Sequence, residues 1–372
     1  MSKINVAAIQ SSIDESGLTW QAASNEFTAL TEAELKYFLG YTPGPKELSL
    51  SAREKIAEKT LKTFLLSAAG KGIRKKKAFG YPALFDWRNR GGANYVTPIK
   101  NQSSCGSCVA FGTVATAETA YRIQRGNASL AIDFSEAQLF YCYARSEGRN
   151  CANGWWPDRA LIAFRDKGLV DEACFPYTPG DQACSTCSNA ADRLLKISGF
   201  TKLTTTAAMK DWISTRGALV ACFSVYNDFY SYRSGVYRKT AAATFIGGHC
   251  VSIVGYDDVS QCWICKNSWG AGFGESGFFR IGYGQCGIDA EMYAINSIIE
   301  TLWTGAQKII GLWSNEAANN AWAYINSFGW RKISPASDNI HLNLLTQCIS
   351  AKSRGAAVSI HLTNGIIDQI YN

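Results

Sequence analysis

Cys108 closes the stretch Asn101-Gln-Ser-Ser-Cys105-Gly-Ser-Cys108 and opens an Ala-rich run, Val109 to Arg125, whose spacing is helical and which stops at Gly126. A thiol is a useful nucleophile only as thiolate, and the free backbone N–H groups in the first turn of a helix favour that anion. It still needs a base. Histidine is scarce, three in 372 residues, and His249 is the only one between residues 1 and 340. It lies in Gly247-Gly-His-Cys-Val-Ser-Ile-Val, at the entry to an apolar run that reads as a buried strand. Alone it would read as a satisfied core histidine; Cys108 makes it a candidate base. Eighteen residues on, Asn267 and Trp269 follow a second apolar strand. An Asn side chain can accept from one imidazole nitrogen and so fix which tautomer faces the thiol, and Trp269 would shield that bond from water.

The rest of the chain must position these groups. With 47% hydrophobic and 18% charged residues it has ample apolar surface for a core, which excludes wholesale disorder. No apolar run approaches the roughly 18 residues of a membrane span. The net charge of +7 is concentrated partly in Lys71 to Lys77 instead of forming a basic face with interleaved aromatics, so no nucleic-acid partner is expected. Thirteen cysteines are odd in number and heavy for a reducing cytosol; an oxidising compartment, several disulfides and a leftover thiol are expected. The Cys-x-x-Cys pairs Cys105/Cys108, Cys184/Cys187 and Cys262/Cys265 have zinc-like spacing, but Cys262-Trp-Ile-Cys265 is strand-like and apolar, so no metal is expected. Met1 to Gln10 lacks a signal-peptide pattern. That agrees with the cysteines only if a natural leader has been removed or the compartment is a different one.

Three segments follow from texture. Residues 1–80 read as a polar, helical leader, with a helix from Ser49 to Ala69 started by a Ser51/Glu54 capping box, an apolar face of Ile56, Leu61, Phe64 and Leu65, and a stop at Gly70. The basic cluster Lys71 and Arg74 to Lys77 reads as a linker or processing site. Residues 81–299 put helices first and strands second, such as Val251 to Tyr256 and Gly277 to Ile281, which makes the body α+β. Residues 300–372 form a small β-rich module of unknown role. It has strands at Trp322 to Ile325 and Gly329 to Ile333, a helix from His341 to Ser353 capped by Asp338 or Asn339, and an Asn364-Gly365 hairpin. Its Trp313, Trp322 and Trp330 read as core, with a glycan or surface ligand as the alternative.

Taken together these residues resemble the papain-like cysteine proteases, and the cathepsin B branch more than papain itself. His249 follows Cys108 by 141 residues and Asn267 follows it by 159, while Gln102, six residues before Cys108, matches the family's oxyanion-hole glutamine. The resemblance covers about residues 81 to 295, with Tyr81 to Arg88 similar to the family's mature N-terminus and Gly217 to Phe229 similar to a cathepsin B stretch. It implies a two-lobed fold with a helical left lobe and a β-barrel-like right lobe, and a peptidase that needs no cofactor. In it Cys108, His249, Asn267 and Gln102 are catalytic. It further implies the disulfides Cys105–Cys151, Cys142–Cys184 and Cys174–Cys187, and a substrate-binding set of Asn153, Gly154, Trp155, Cys222, Gly248, Trp269 and Glu291.

Glu291 falls where the family places the floor of the pocket for the second residue before the cut, so that pocket is expected to take arginine as well as apolar side chains. Two departures stand out: Val109 replaces an aromatic residue, and Trp155 stands where a glycine normally bonds the substrate backbone and would narrow the cleft. The histidines of cathepsin B's occluding loop have no counterpart, so endopeptidase action on protein or peptide substrates is expected. Trp20, Asn25, Phe27, Leu30, Thr31 and Glu34 resemble part of the family's inhibitory propeptides, which implies a zymogen whose own leader lies in the cleft against the cutting direction. Expected localisation is secreted, endolysosomal or periplasmic. The rival functions are a non-catalytic binding protein on the same fold and a thiol acyltransferase.

Overall fold

The computed structural model describes residues 3–66 and 80–371, so the expected helix end at Ala69 and Gly70 and the basic cluster Lys71 to Lys77 lie outside the described residues. The chain divides into two compact units, Met1–Ala190 with Ile197–Ile298, and Ala191–Lys196 with Ile299–Asn372. Among the described residues, the α-helices of the first unit are α1 (Val6–Glu15), α2 (Glu32–Leu35), α3 (Leu50–Leu66), α4 (Cys108–Gln124), α5 (Pro157–Lys167) and α6 (Thr206–Thr215). Its main sheet uses β1 (Leu84–Asp86), β2 (Phe200–Leu203), β3 (Leu219–Tyr226), β4 (Val236–Tyr237), β5 (Phe245–Asp257), β6 (Cys262–Lys266), β7 (Phe278–Gly282) and β8 (Met292–Ile295). The strand order is β2-β8-β3-β5-β6-β7-β4, with β1 beside β5. Helices and strands thus segregate along the chain as an α+β fold, and the sheet stays open at β2 and β4 instead of closing as a barrel.

The core of the site is the contact of α4 with β5. A Cβ on Gly112 would lie 3.1 Å from Cys250 Sγ and 3.2 Å from the Val251 backbone, so glycine lets the helix approach the strand. One turn later Thr116 Oγ1 lies within hydrogen-bond distance of Ser252 Oγ, at 2.8 Å. Four helical residues rise about 6 Å and two strand residues about 6.6 Å, so the two rows stay in step. Extending that row one turn back from Gly112 reaches Cys108. The other face of β3 and β5 carries Phe223, which packs on Phe229, Phe279 and the His249 ring. Three disulfides, Cys105–Cys151, Cys142–Cys184 and Cys174–Cys187, hold the loops around α4 and α5.

Helix α3 departs from its sequence reading. Ser49, not Ser51, bonds the first turn through Ala52 N–H, and Glu54 bonds Tyr226 instead of capping. Its buried positions are Arg53, Ala57 and Phe64; Ile56 and Leu65 are only half-buried.

In the second unit, β9 (Thr301–Ser314), β10 (Ala321–Ile325), β11 (Gly329–Lys332), β12 (Ala357–Thr363) and β13 (Ile366–Tyr371) form an antiparallel sheet in the order β11-β10-β9-β12-β13, with helix α7 (Asp338–Arg354). Ser337, one residue before the expected caps, caps α7, and Asn364 and Gly365 take positive φ in the β12–β13 hairpin. The core here is aliphatic, built on residues such as Ile309, Ile325, Leu344, Ile360 and Ile367. The tryptophans are not part of it: Trp313 and Trp330 are 48% and 45% exposed, and with Trp322 and Asn320 they line an open depression of about 540 Å³. Strand alternation explains this, because Ala321, Ala323 and Ile325 take the inward positions of β10 and leave Trp322 on the outer face.

Replacing Gly112 with Val is expected to force α4 off β5 and to cost about 1–3 kcal/mol of stability. Calorimetry should show a lower Tm with all three disulfides intact.

Candidate active site

Cys108 is the first residue of α4, fully buried and not in a disulfide. Burial pushes its thiol far above the usual range and the nearby Cys222 adds to this, while backbone N–H groups of Cys250, Gly40 and Val109 pull the other way. Two of those donors bracket the site: Cys250 follows His249, and Gly40 belongs to the N-terminal segment. His249 Nε2 lies 2.8 Å from Asn267 Oδ1, which also accepts the Ser268 N–H at 2.9 Å. An oxygen already accepting from a backbone N–H must accept from the imidazole too, so Nε2 carries the proton and Nδ1 carries the lone pair. Nδ1 is buried with no hydrogen-bond partner among the described residues. The His249 ring packs 4.7 Å from Trp269, and Trp269 stacks on Tyr230 at 5.0 Å, which keeps water from the His249–Asn267 bond. Burial lowers His249 to about 4, with the Asn267 bond acting in the opposite direction.

Gln102 is buried beside this pair. Ser268 Oγ donates to its Oε1 at 2.6 Å, which fixes Nε2 as the end that faces Cys105 O at 2.8 Å and Phe38 O at 3.2 Å. Phe38 O also accepts from Trp269 Nε1 at 3.2 Å. The N-terminal segment continues across the cleft by backbone bonds. Trp155 N–H donates to Gly40 O at 2.8 Å, Thr42 N–H to Trp155 O at 3.1 Å, and Tyr41 N–H to Gly248 O at 3.0 Å. This is a parallel pairing of Tyr41 with Trp155. The approach is so close that a Cβ on Gly40 would meet Gly106 O at 1.9 Å and one on Gly154 would meet Gly40 O at 2.0 Å. Asn153 O takes the Thr42 hydroxyl at 2.9 Å. The Trp155 indole does not narrow this path; it is buried and donates to Glu147 at 3.0 Å, leaving its backbone free for the segment.

Glu291 is also met by the N-terminal segment. Arg53 of α3, 1% exposed, places Nη1 2.7 Å from Glu291 Oε1, while Nη2 reaches Cys222 O at 3.1 Å and Glu291 O at 3.2 Å. Lys202 sits 3.2 Å from the other carboxylate oxygen. Burial alone would raise Glu291, but Arg53 and Lys202 outweigh it and hold the carboxyl below its ordinary value. Arg53 carries no mark of this role in the sequence, because an arginine near the start of a largely polar helix reads as solvated. Phe38 and Gly40 were equally silent, since what they contribute is a backbone carbonyl and the lack of a Cβ. Upstream, Trp20 Nε1 bonds Arg238 O at 2.9 Å, Asn25 bonds Tyr230 O at 2.8 Å, and Phe27 packs 5.2 Å from Trp269. Thr31 and Glu34 form the capping box of α2.

A family model described as papain family cysteine protease matches residues 81–296, more than half of the chain. The chain belongs to the papain family of cysteine proteases. It is 34% identical over 242 residues to the gut-specific cysteine proteinase of Caenorhabditis elegans, covering 57% of this chain and 73% of that protein. It is 31% identical to cathepsin B-like CP2 of Giardia intestinalis, covering 73% of this chain and 96% of that one. The solved structure of digestive procathepsin L2 proteinase from Tenebrio molitor larval midgut matches at a TM-score of 0.59 and 27% identity, covering 79% of this chain and 95% of that chain. Of several further cysteine proteinases and cathepsins the chain spans 63–66% of their length. With precursors among the matching structures and its own N-terminal segment in the cleft, the chain is a zymogen of this family.

Acid should open it. While the segment is in place His249 stays neutral down to about pH 4, whereas a solvated imidazole protonates near 6.5. Between those values the open state binds the extra proton, so falling pH favours opening. Glu291, depressed in the closed state, acts in the same sense as pH falls through its lowered value. Glu47, raised by burial, opposes them, but only the His249 shift is large. Hydrogen exchange at the Tyr41 and Thr42 amides, corrected for intrinsic rates, is expected to lose protection between about pH 6.5 and 4, and His249→Gln to remove most of that dependence.

Proposed function

We propose that the chain is the precursor of a cysteine endopeptidase in which Cys108, His249, Asn267 and Gln102 perform acyl transfer to water. The observation that carries this is the arrangement of the N-terminal segment. Seven positions expected to bind substrate, Asn153, Gly154, Trp155, Cys222, Gly248, Trp269 and Glu291, all meet it. The segment runs parallel to the Trp155 backbone. In that direction the Cys108 sulfur faces the Gly40 N–H, a donor, instead of a carbonyl carbon. The nucleophile is covered without being offered an electrophile. A substrate running the other way would keep the same backbone bonds and present a carbonyl.

In the open enzyme His249 Nδ1, the nitrogen without a partner, takes the Cys108 proton, and the resulting thiolate attacks the scissile carbonyl. Gln102 Nε2 and the backbone N–H of Cys108 hold the developing oxyanion. Phe38 O, bonded to that same Nε2, occupies the amide's donor in the closed form. The imidazolium then protonates the leaving amine, and the neutral ring activates water to release the acyl group. Asn267 keeps Nδ1 aimed throughout by holding Nε2–H. Arg53 on Glu291 supports a pocket that takes arginine at the second residue before the cut, with Lys202 on one carboxylate oxygen and Oε1 left for the guanidinium. The three disulfides fit an oxidising compartment, which supports a secreted or endolysosomal location.

A peptidyl inhibitor with a thiol-reactive group, mapped by mass spectrometry on the activated protein, is expected to label Cys108, and not to do so in His249→Ala. Labelling at another cysteine would sink the assignment. Glu291→Ala is expected to reduce kcat/KM for peptides with arginine at that position by about 10–100-fold, the worth of a charge-assisted bond, and to change the phenylalanine counterparts little.

For the C-terminal unit, the outward rings of Trp313, Trp322 and Trp330 around Asn320 support glycan binding, with sugar faces on the rings and hydroxyls on the amide. Trp313→Ala is expected to weaken retention on immobilised polysaccharide with peptide turnover unchanged; equal retention would remove this reading.

A further inference from the structure

Cys222 and Cys250 are directly opposite on the antiparallel strands β3 and β5, so their side chains share one face of the sheet. Both are free thiols, no more than 1% exposed. The two thiols lie close enough to act on each other electrostatically, and Cys108 acts on both. Opposed residues on antiparallel strands have Cα atoms about 4.5 or 5.5 Å apart, inside the range a disulfide spans. The pair is packed on its helix side, where Cys250 Sγ sits against Gly112. The N-terminal segment lies beside the pair: Arg53 bonds the Cys222 carbonyl, and Tyr41 and Glu47 are near enough to Cys222 to act on it electrostatically.

We propose that Cys222 and Cys250 are a redox modification site, a dithiol that a peroxide closes to a disulfide once the N-terminal segment leaves the cleft. The proposal rests on the reading of that segment as a removable cover. In the first step one thiolate attacks the peroxide O–O bond, gives a sulfenic acid and releases hydroxide, or alkoxide from an organic hydroperoxide. In the second, the other thiol attacks the sulfenic sulfur, forms the S–S bond and expels water. Two thiols lose two electrons and two protons, and hydrogen peroxide becomes two waters. A nearby second thiol favours this course over further oxidation of a single sulfur. The oxidised wall would lie beside the carbonyl that Arg53 now uses, in the pocket floored by Glu291.

The test uses the full chain carrying Cys108→Ala, which removes self-cleavage and the neighbouring thiol. Hydrogen peroxide treatment followed by peptide mapping should yield one cross-linked species joining the peptides of residues 222 and 250, reversed by dithiothreitol and absent in Cys222→Ala and in Cys250→Ala. Adding Gly40→Ala, whose Cβ cannot fit beside Gly106 O, should raise the rate of cross-linking at least about tenfold, because buried thiols are inert. Unlinked thiols, or separate sulfinic acids at the two cysteines, would overturn the site. Equal rates in the two backgrounds would overturn the gating. Exchange at the Tyr41 amide, measured on the same samples, reports release of the segment independently, so failure of the cover reading is distinguished from failure of the dithiol.

Discussion

The close approach of α4 to β5 at Gly112 decides where every other group in the site lies. A helix advances about 6 Å in four residues and a strand about 6.6 Å in two, so one glycine contact sets a register between the rows. That register puts Cys108 at the end of the row that runs through Gly112 and Thr116, near the Cys250 backbone. Alternation along β5 then sends the His249 side chain to one face and the Cys250 thiol to the other. The placing of the His249 ring, the backbone donor to the sulfur and the buried thiol pair are consequences of the same packing.

Closure uses the same geometry in reverse polarity. The cleft binds backbone through Trp155 and Gly248, and backbone bonds tolerate either chain direction. Parallel pairing keeps those bonds but presents an N–H to Cys108, where the proposed mechanism calls for a carbonyl carbon. Inhibition therefore needs no distortion of the site. It needs burial, and burial is what keeps the Cys108 thiol protonated and the His249 ring neutral. The buried Arg53–Glu291 pair adds an ionic anchor, whose cost in desolvation is offset by bonds to two backbone carbonyls and by Lys202.

The segments of the body were legible because their signals are local. The helix after Cys108 was expected at Val109 to Arg125 and runs Cys108–Gln124; the strand expected from Val251 to Tyr256 is the inner part of β5. The Asn364-Gly365 hairpin follows from two residues that tolerate positive φ. Where the reading differed, a competing partner outside the expected motif won. Ser49 displaced Ser51 as the cap of α3, and Glu54 was drawn to Tyr226 on another element. The tryptophans of the C-terminal unit turned outward because an aliphatic core already fills the inner face of its sheet.

The amino-acid sequence by itself determined which side chains could do the chemistry: one histidine in the body, a cysteine at a helix start, an asparagine after a strand and a glutamine upstream. Those are properties of residue type and spacing, and folding does not change them. Only the tertiary structure decided what each group faces. Gly40 against Gly106, Arg53 on Glu291, Phe38 O on Gln102 and Cys222 beside Cys250 join positions far apart in the chain, through backbone atoms or through side chains whose types carry no mark of their partners. Such contacts depend on which surfaces packing brings within a few ångströms, and periodicity along one segment carries no information about that distance.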